Sequence, residues 1–196
     1  MYQRTKTSGL AVVLIALFAL FLTTALPVEA AEIDTDSTTA TVTFKAGALK
    51  ILAVPELEFG EQDILGEEAA YTTTSITPVE ISDLRGSNSG WNLVVSLSSF
   101  KSGEVASLQG AYIEIKSATV NAKNDTISTA PTVANSSIKL NANDTQTLLL
   151  GAETGAGSGV WQMEMLAANV SLKVAPGTAV VGQNAATLNW SLQTTP

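Results

Sequence analysis

The sequence predicts an all-β protein, a single antiparallel β-sandwich behind an N-terminal signal peptide. Three observations predict it. Short stretches alternate apolar and polar residues with period two. Gly, Asn, Ser and Thr punctuate them at turn-like intervals. Beyond residue 30, no stretch of ten or more residues holds a helical period. With no amphipathic helix to cover them, the apolar strand faces must pack against one another.

The signal comes first in the chain. Arg4 and Lys6 form a short basic region, and Leu10–Leu22 is uninterruptedly apolar but too short for an ordinary membrane span. Pro27 stops any helix, and Val28 and Ala30 place small residues at the positions a signal peptidase reads. Residues 1–30 are therefore expected to be removed after Ala30; an uncleaved anchor is the alternative. Residues 31–38 are acidic and polar and read as a flexible start to the mature chain.

Strands are expected from there on. The clearest is Gly90–Ser98, where Trp91, Leu93, Val95 and Leu97 share one face and Asn92, Ser96 and Ser98 the other, with Val94 the exception. Val160–Leu166, Val170–Val174 and Thr187–Gln193 alternate in the same way. Shorter candidates are Thr41–Lys45, Leu49–Val54, Val79–Asp83, Tyr112–Ser117, Ser137–Leu140 and Gln146–Leu150. Gly60–Thr77 and Ala118–Ser136 are expected to be long polar loops. No internal repeat or low-complexity linker divides the chain.

Composition narrows the function. Removing residues 1–30 takes away two of ten basic and one of eighteen acidic residues, so the remaining 166 residues carry −9. No Lys/Arg cluster stands in the sequence, which argues against a nucleic-acid partner. An acidic surface is also repelled by anionic lipids and wall polymers. Wall contact would then rest on stacking, hydrogen bonds or cation bridging. Histidine and cysteine are both absent, which removes the commonest general base, the usual zinc ligands and every Ser-His or Cys-His nucleophile. The expectation is a non-enzyme without cofactor or metal, with a core large enough to fold without disulfides.

Two segments exceed generic strand patterning: Asp83-Leu84-Arg85-Gly86 leading into Gly90-Trp91-Asn92-Leu93, and Ala186–Leu192 with Trp190-Ser191-Leu192 close to Pro196. Together they resemble the WxL domain of Gram-positive surface proteins, which carries one W-x-L after a D-x-R-G element and a second at its C-terminus. Val54-Pro55 with Leu57, Phe59 and Gly60, the run Gly155, Gly157, Gly159 and Trp161, and Ala175-Pro176-Gly177 are similar to further family elements. The resemblance covers residues 39–196. One departure is that Gln183 and Asn184 stand where the family usually has an aromatic residue. The resemblance implies a secreted protein attached non-covalently to the cell wall, through peptidoglycan or another wall polymer. It also implies other WxL proteins and a membrane-anchored peptidoglycan-binding protein as partners. A second reading is a structural subunit of such a complex, touching the wall only indirectly. Non-covalent attachment also fits a sequence that closes at Pro196 without a sorting motif.

The site residues carry two readings each. In a strand, residues i and i+2 point the same way, so Trp91 and Leu93, and likewise Trp190 and Leu192, stand side by side. They either stack on sugar rings as motif residues of a wall-binding face or line the core. Their continuation by Val95, Leu97 and Leu188 favours the core. Asp83 and Arg85 are expected to form a structural ion pair that pins the following turn. The carboxylates Glu61, Asp63, Glu67 and Glu68 lack EF-hand spacing and read as a solvated loop. Five glycosylation-like triplets, among them Asn124-Asp125-Thr126, are read as chance in so Asn/Ser/Thr-rich a sequence.

Overall fold

Antiparallel pairing of short alternating strands accounts for nearly all regular structure in the computed structural model, which describes residues 34–195. The expected signal peptide, the first three residues after it and Pro196 lie outside the described residues. One compact unit runs from Phe44 onward. Its strands are β1 (Leu49–Ala53), β2 (Ala69–Thr72), β3 (Val79–Asp83), β4 (Trp91–Leu97), β5 (Lys101–Ser102), β6 (Val105–Ala106) and β7 (Tyr112–Lys116). They continue as β8 (Thr119–Ala122), β9 (Thr132–Val133), β10 (Ser137–Asn141), β11 (Thr147–Ala152), β12 (Gly159–Glu164), β13 (Val170–Val174) and β14 (Leu188–Thr194). The helical content among the described residues is one 3-10 turn, Ala167–Asn169.

Three four-stranded antiparallel sheets share one core: β1-β3-β12-β8, β10-β7-β13-β2 and β14-β4-β11-β9. A two-stranded hairpin, β5-β6, stands apart from them. Opposite residues of an antiparallel pair lie on the same face, so register decides what the core receives. In the first sheet Ile81 faces Trp161 and Val79 faces Met163, and all four are buried. In the second, Ile115 stands opposite both Val170 and Ile138, and Ile113 opposite Leu172 and Leu140. The third contributes Trp91, Leu93, Val95 and Leu97 from β4 with Leu149, Leu150 and Ala152 from β11. A register shift in β11 between Leu148 and Leu150 turns both Leu149 and Leu150 into the core while Leu148 stays exposed. The all-β sandwich expected from alternation is the fold.

Several expectations need correction. Thr41–Lys45 alternates like a strand, yet these residues form no strand, and Val42 and Phe44 are 74% and 86% exposed. Among the described residues no strand pairs with this segment, and patterning without a partner does not make a sheet. Conversely, the expected loops contain β2, β8 and β9. β2 is held on the edge of β13 and β8 on the edge of β12; each is only four residues long, too short for its own pattern to mark it, and pairing orders it. The β5-β6 hairpin, turning through Gly103 in a left-handed conformation (φ 58°), was not marked by the pattern.

Candidate functional site

The two W-x-L segments are neighbours in the fold. β14 pairs with β4 along its whole length, with Leu192 opposite Leu93, Trp190 opposite Val95 and Trp91 opposite Thr194. Trp and Leu of both motifs therefore point to one side, and that side is the core. Trp91 and Leu93 are fully buried, while Trp190 and Leu192 are half-buried and pack against the same cluster. The Trp91 indole N–H donates to the Gly157 carbonyl at 3.2 Å. Gly157 takes a left-handed φ of +73°, and a Cβ there would come within 2.7 Å of the indole nitrogen. The glycine-rich run before β12 thus seats Trp91. Trp190 lines a crevice of about 10 Å³ with Leu57, Ile76, Met165 and Leu188, space for one water at most and none for a sugar.

The other side of the same two strands carries no charge and is polar apart from Val94. Gln193 stands opposite Asn92, Ser191 opposite Val94 and Asn189 opposite Ser96. Across β4, Leu148 and Gly151 of β11 continue the rows of Val94 and Asn92. A Cβ on Gly151 would come within 2.9 Å of the Asn92 side-chain oxygen, so the missing side chain lets the amide lie across β11. Asn189 and Gln193 are exposed, while Val94 and Ser96 are largely covered by their neighbours. At the far end the next pair, Ser98 and Thr187, opens into a shallow polar groove of about 490 Å³ that also includes Lys101, Asp144 and Ala185. Ser98 and Thr187 are tied by Ser98 N–H to the Thr187 carbonyl (2.9 Å) and Thr187 N–H to Ser98 Oγ (2.8 Å). Four successive rows make a track about 20 Å long. Its amides and hydroxyls both donate and accept hydrogen bonds, which suits the hydroxyl and acetamido groups of a glycan. The three rows without charge also spare a ligand the like-charge repulsion that an acidic chain, −8 overall, imposes elsewhere.

Among the described residues, Asp83 and Arg85 form the ion pair with the least exposed partners, 2.8 Å between Arg85 Nη2 and Asp83 Oδ2, with the Arg85 and Asp83 side chains 15% and 4% exposed. Arg85 Nε adds a second bond to Asp83 Oδ1 at 2.9 Å, and the Arg85 backbone N–H a third at 3.1 Å. The same guanidinium donates to the Ser89 carbonyl at 2.7 Å and the Gly90 carbonyl at 3.3 Å. The loop delivering Trp91 into β4 is thereby fixed. Burial pushes the Asp83 carboxyl up and is the largest single influence. The Arg85 hydrogen bonds and charge together outweigh it, leaving the pKa below the ordinary value.

The acidic loop does not gather into a cation site: among the described residues no three His, Cys, Asp or Glu side chains converge. Its contact with the strands is the Tyr71 hydroxyl, which donates to the Asp63 carbonyl at 2.9 Å. Asn92, Ser96, Asn189, Ser191 and Gln193 are legible in the sequence only as the polar side of two strands. The signal of a role is the place of Asn92 and Ser191 as the x of the two W-x-L motifs, with the others beside them.

The fold and the motifs define the class: an all-β domain in which two W-x-L strands pair side by side with their Trp and Leu turned inward. Within that class, the chain belongs to the family described as WxL domain surface cell wall-binding, whose model matches residues 24–196. It is accordingly a secreted, wall-associated surface protein. No curated protein and no solved structure matches it.

Proposed function

We propose that this domain is a non-catalytic wall anchor that holds peptidoglycan non-covalently, with a glycan strand lying along the outward side of β4 and β14. The carrying observation is the division of labour in the paired motifs. Trp91, Leu93, Trp190 and Leu192 are turned towards the core, while Asn92 and Ser191, the middle residues of the two motifs, face outward beside Asn189 and Gln193. A contact made of neutral hydrogen-bonding groups lets a strongly acidic chain meet the wall glycan without like-charge repulsion. The test is sedimentation of the purified mature chain, residues 31–196, with purified peptidoglycan and no other protein. Saturable retention on peptidoglycan supports the reading, and absence of retention overturns it.

A second reading, a subunit of a surface complex with other WxL proteins and a membrane-anchored partner, is favoured by Val42 and Phe44. Both are large apolar side chains on a strand-like stretch and both are exposed. In the same assay that reading predicts retention only after such partner proteins are added.

A further inference from the structure

The outward face of the β10-β7-β13-β2 sheet gathers cations that are scattered in the sequence. Period-two alternation turns Lys139 on β10, Glu114 and Lys116 on β7, and Lys173 on β13 to the same side. Register then sets Lys139 opposite Glu114, and Lys173 opposite Tyr112. Glu114 sits in the middle: its Oε2 is 3.1 Å from Lys116 Nζ and 4.0 Å from Lys173 Nζ, and its Oε1 accepts from Ser137 Oγ at 3.1 Å. Lys139 Nζ lies 3.7 Å from the centre of the Tyr112 ring, within cation–π range.

Three ammoniums against one carboxylate leave this face at +2, although the mature chain carries −9. Three of its eight basic residues are here. The Lys116 hydrogen bond, with smaller help from Ser137 and the Lys116 and Lys173 charges, outweighs desolvation and holds Glu114 below its ordinary range. Glu114 is therefore ionised at neutral pH and already counted in the +2. The remaining outward positions, Ser137, Asn141, Ser171, Thr72 and Ala70, are uncharged. Glu67 and Glu68 bound the patch just ahead of β2.

We infer that this face is a second wall contact, docking an anionic phosphodiester polymer of the wall. Charge complementarity carries the choice. A wall-associated protein meets phosphodiester polymers in its own compartment, and they are the ligands that its overall charge repels. A local cationic face offsets that repulsion. Each ammonium has three donors and spends at most one on Glu114 or the ring, leaving donors for phosphate oxygens. The face holds no arginine, so the planar fork that suits paired carboxylate oxygens is missing, while point-charge donors for phosphate are present. Adjacent lysines stand about 7–12 Å apart at the backbone, so a repeating polyanion laid across β10, β7 and β13 meets more than one of them.

This inference is independent of the glycan track, and its test keeps the two apart. The mature chain is titrated onto isolated cell walls, either intact or stripped of phosphodiester polymers by hydrofluoric acid. The variants are K116Q/K139Q/K173Q and a control with the same charge change elsewhere, K45Q/K50Q/K123Q. On intact walls the face variant should bind about fivefold more weakly than the parent, and the control less than twofold, as expected for several exposed, salt-screened contacts. On stripped walls parent and face variant should bind alike. A soluble polyol phosphate should compete with the parent on intact walls and not on stripped ones, which tests the face without any substitution. Equal losses in both variants would reduce the effect to overall charge. A loss persisting on stripped walls would assign the face to stem-peptide carboxylates. Either result, or no competition, overturns the inference. The glycan reading is judged separately, by parent binding to stripped walls.

Discussion

Replacing Trp91 by alanine removes the largest fully buried side chain of the core, at 0% exposure. A buried tryptophan covers about 150–250 Å² of surface, which at about 25 cal/mol per Å² corresponds to roughly 4–6 kcal/mol of transfer free energy. Alanine keeps the Cβ, and the surroundings collapse in part, so the observed range for such truncations is about 3–5 kcal/mol. The Gly157 carbonyl also loses the indole donor held at 3.2 Å, a further loss of about 1 kcal/mol. The sum, about 4–6 kcal/mol, is a large part of the roughly 5–15 kcal/mol that a domain has in total. It lowers the melting temperature by about 10–20 °C in a chain of this size. Trp190→Ala should cost about half as much, since that ring is only half-buried. The assay is urea and thermal denaturation of parent, W91A and W190A, with the urea slope checked for unchanged cooperativity. If W91A melts within about 2 °C of the parent, the ring is not a core element, and the assignment of inward and outward sides of β4 fails with it.

Gly157→Ala should destabilise by about 2–4 kcal/mol, combining a disfavoured left-handed backbone with overpacking against Trp91, and should shift the tryptophan fluorescence in the folded protein. Asp83→Asn leaves the Arg85 guanidinium without its counter-charge and should cost about 3 kcal/mol at neutral pH. Because the folded-state pKa of Asp83 is depressed, its contribution is complete above the ordinary carboxylate value of about 4 and is lost as pH falls through the lower folded value. The stability difference between parent and D83N should accordingly be flat from pH 7 to 5 and shrink below pH 4. A difference unchanged down to pH 2 would show that the ion pair is not its source.

Much of the fold was legible because most strands carry their own pattern. β3 and β13 begin and end where alternation places them, and β4 and β14 differ from their expected limits by one residue. What stayed hidden depended on pairing. Thr119–Ala122 is short and half polar and becomes a strand because β12 offers an edge; Thr41–Lys45 has the pattern and finds no edge. The same limit applied to the surface. Lys116, Lys139 and Lys173 lie more than twenty residues apart and form no cluster in the sequence; only the register of β10, β7 and β13 brings them together. For the motifs, alternation showed that each Trp shares a side with its Leu, and the neighbouring apolar residues favoured the core. That the two motifs are paired strands, with Asn92 and Ser191 on a common outer track, requires the long-range contact between β4 and β14, over ninety residues apart.

The central question is which side of β4 and β14 meets the wall. The most direct measurement is retention of N92A/N189A/Q193A on phosphodiester-stripped peptidoglycan, with the melting temperature of the same preparation recorded alongside. These side chains line the outer face, where substitutions usually change stability by no more than about 0.5 kcal/mol each. The variant should melt within a few degrees of the parent and lose at least about tenfold in affinity, the equivalent of about 1.4 kcal/mol over three lost side-chain contacts. A variant that melts like the parent and binds like the parent would contradict the account and return the search for the contact surface to the other faces of the domain.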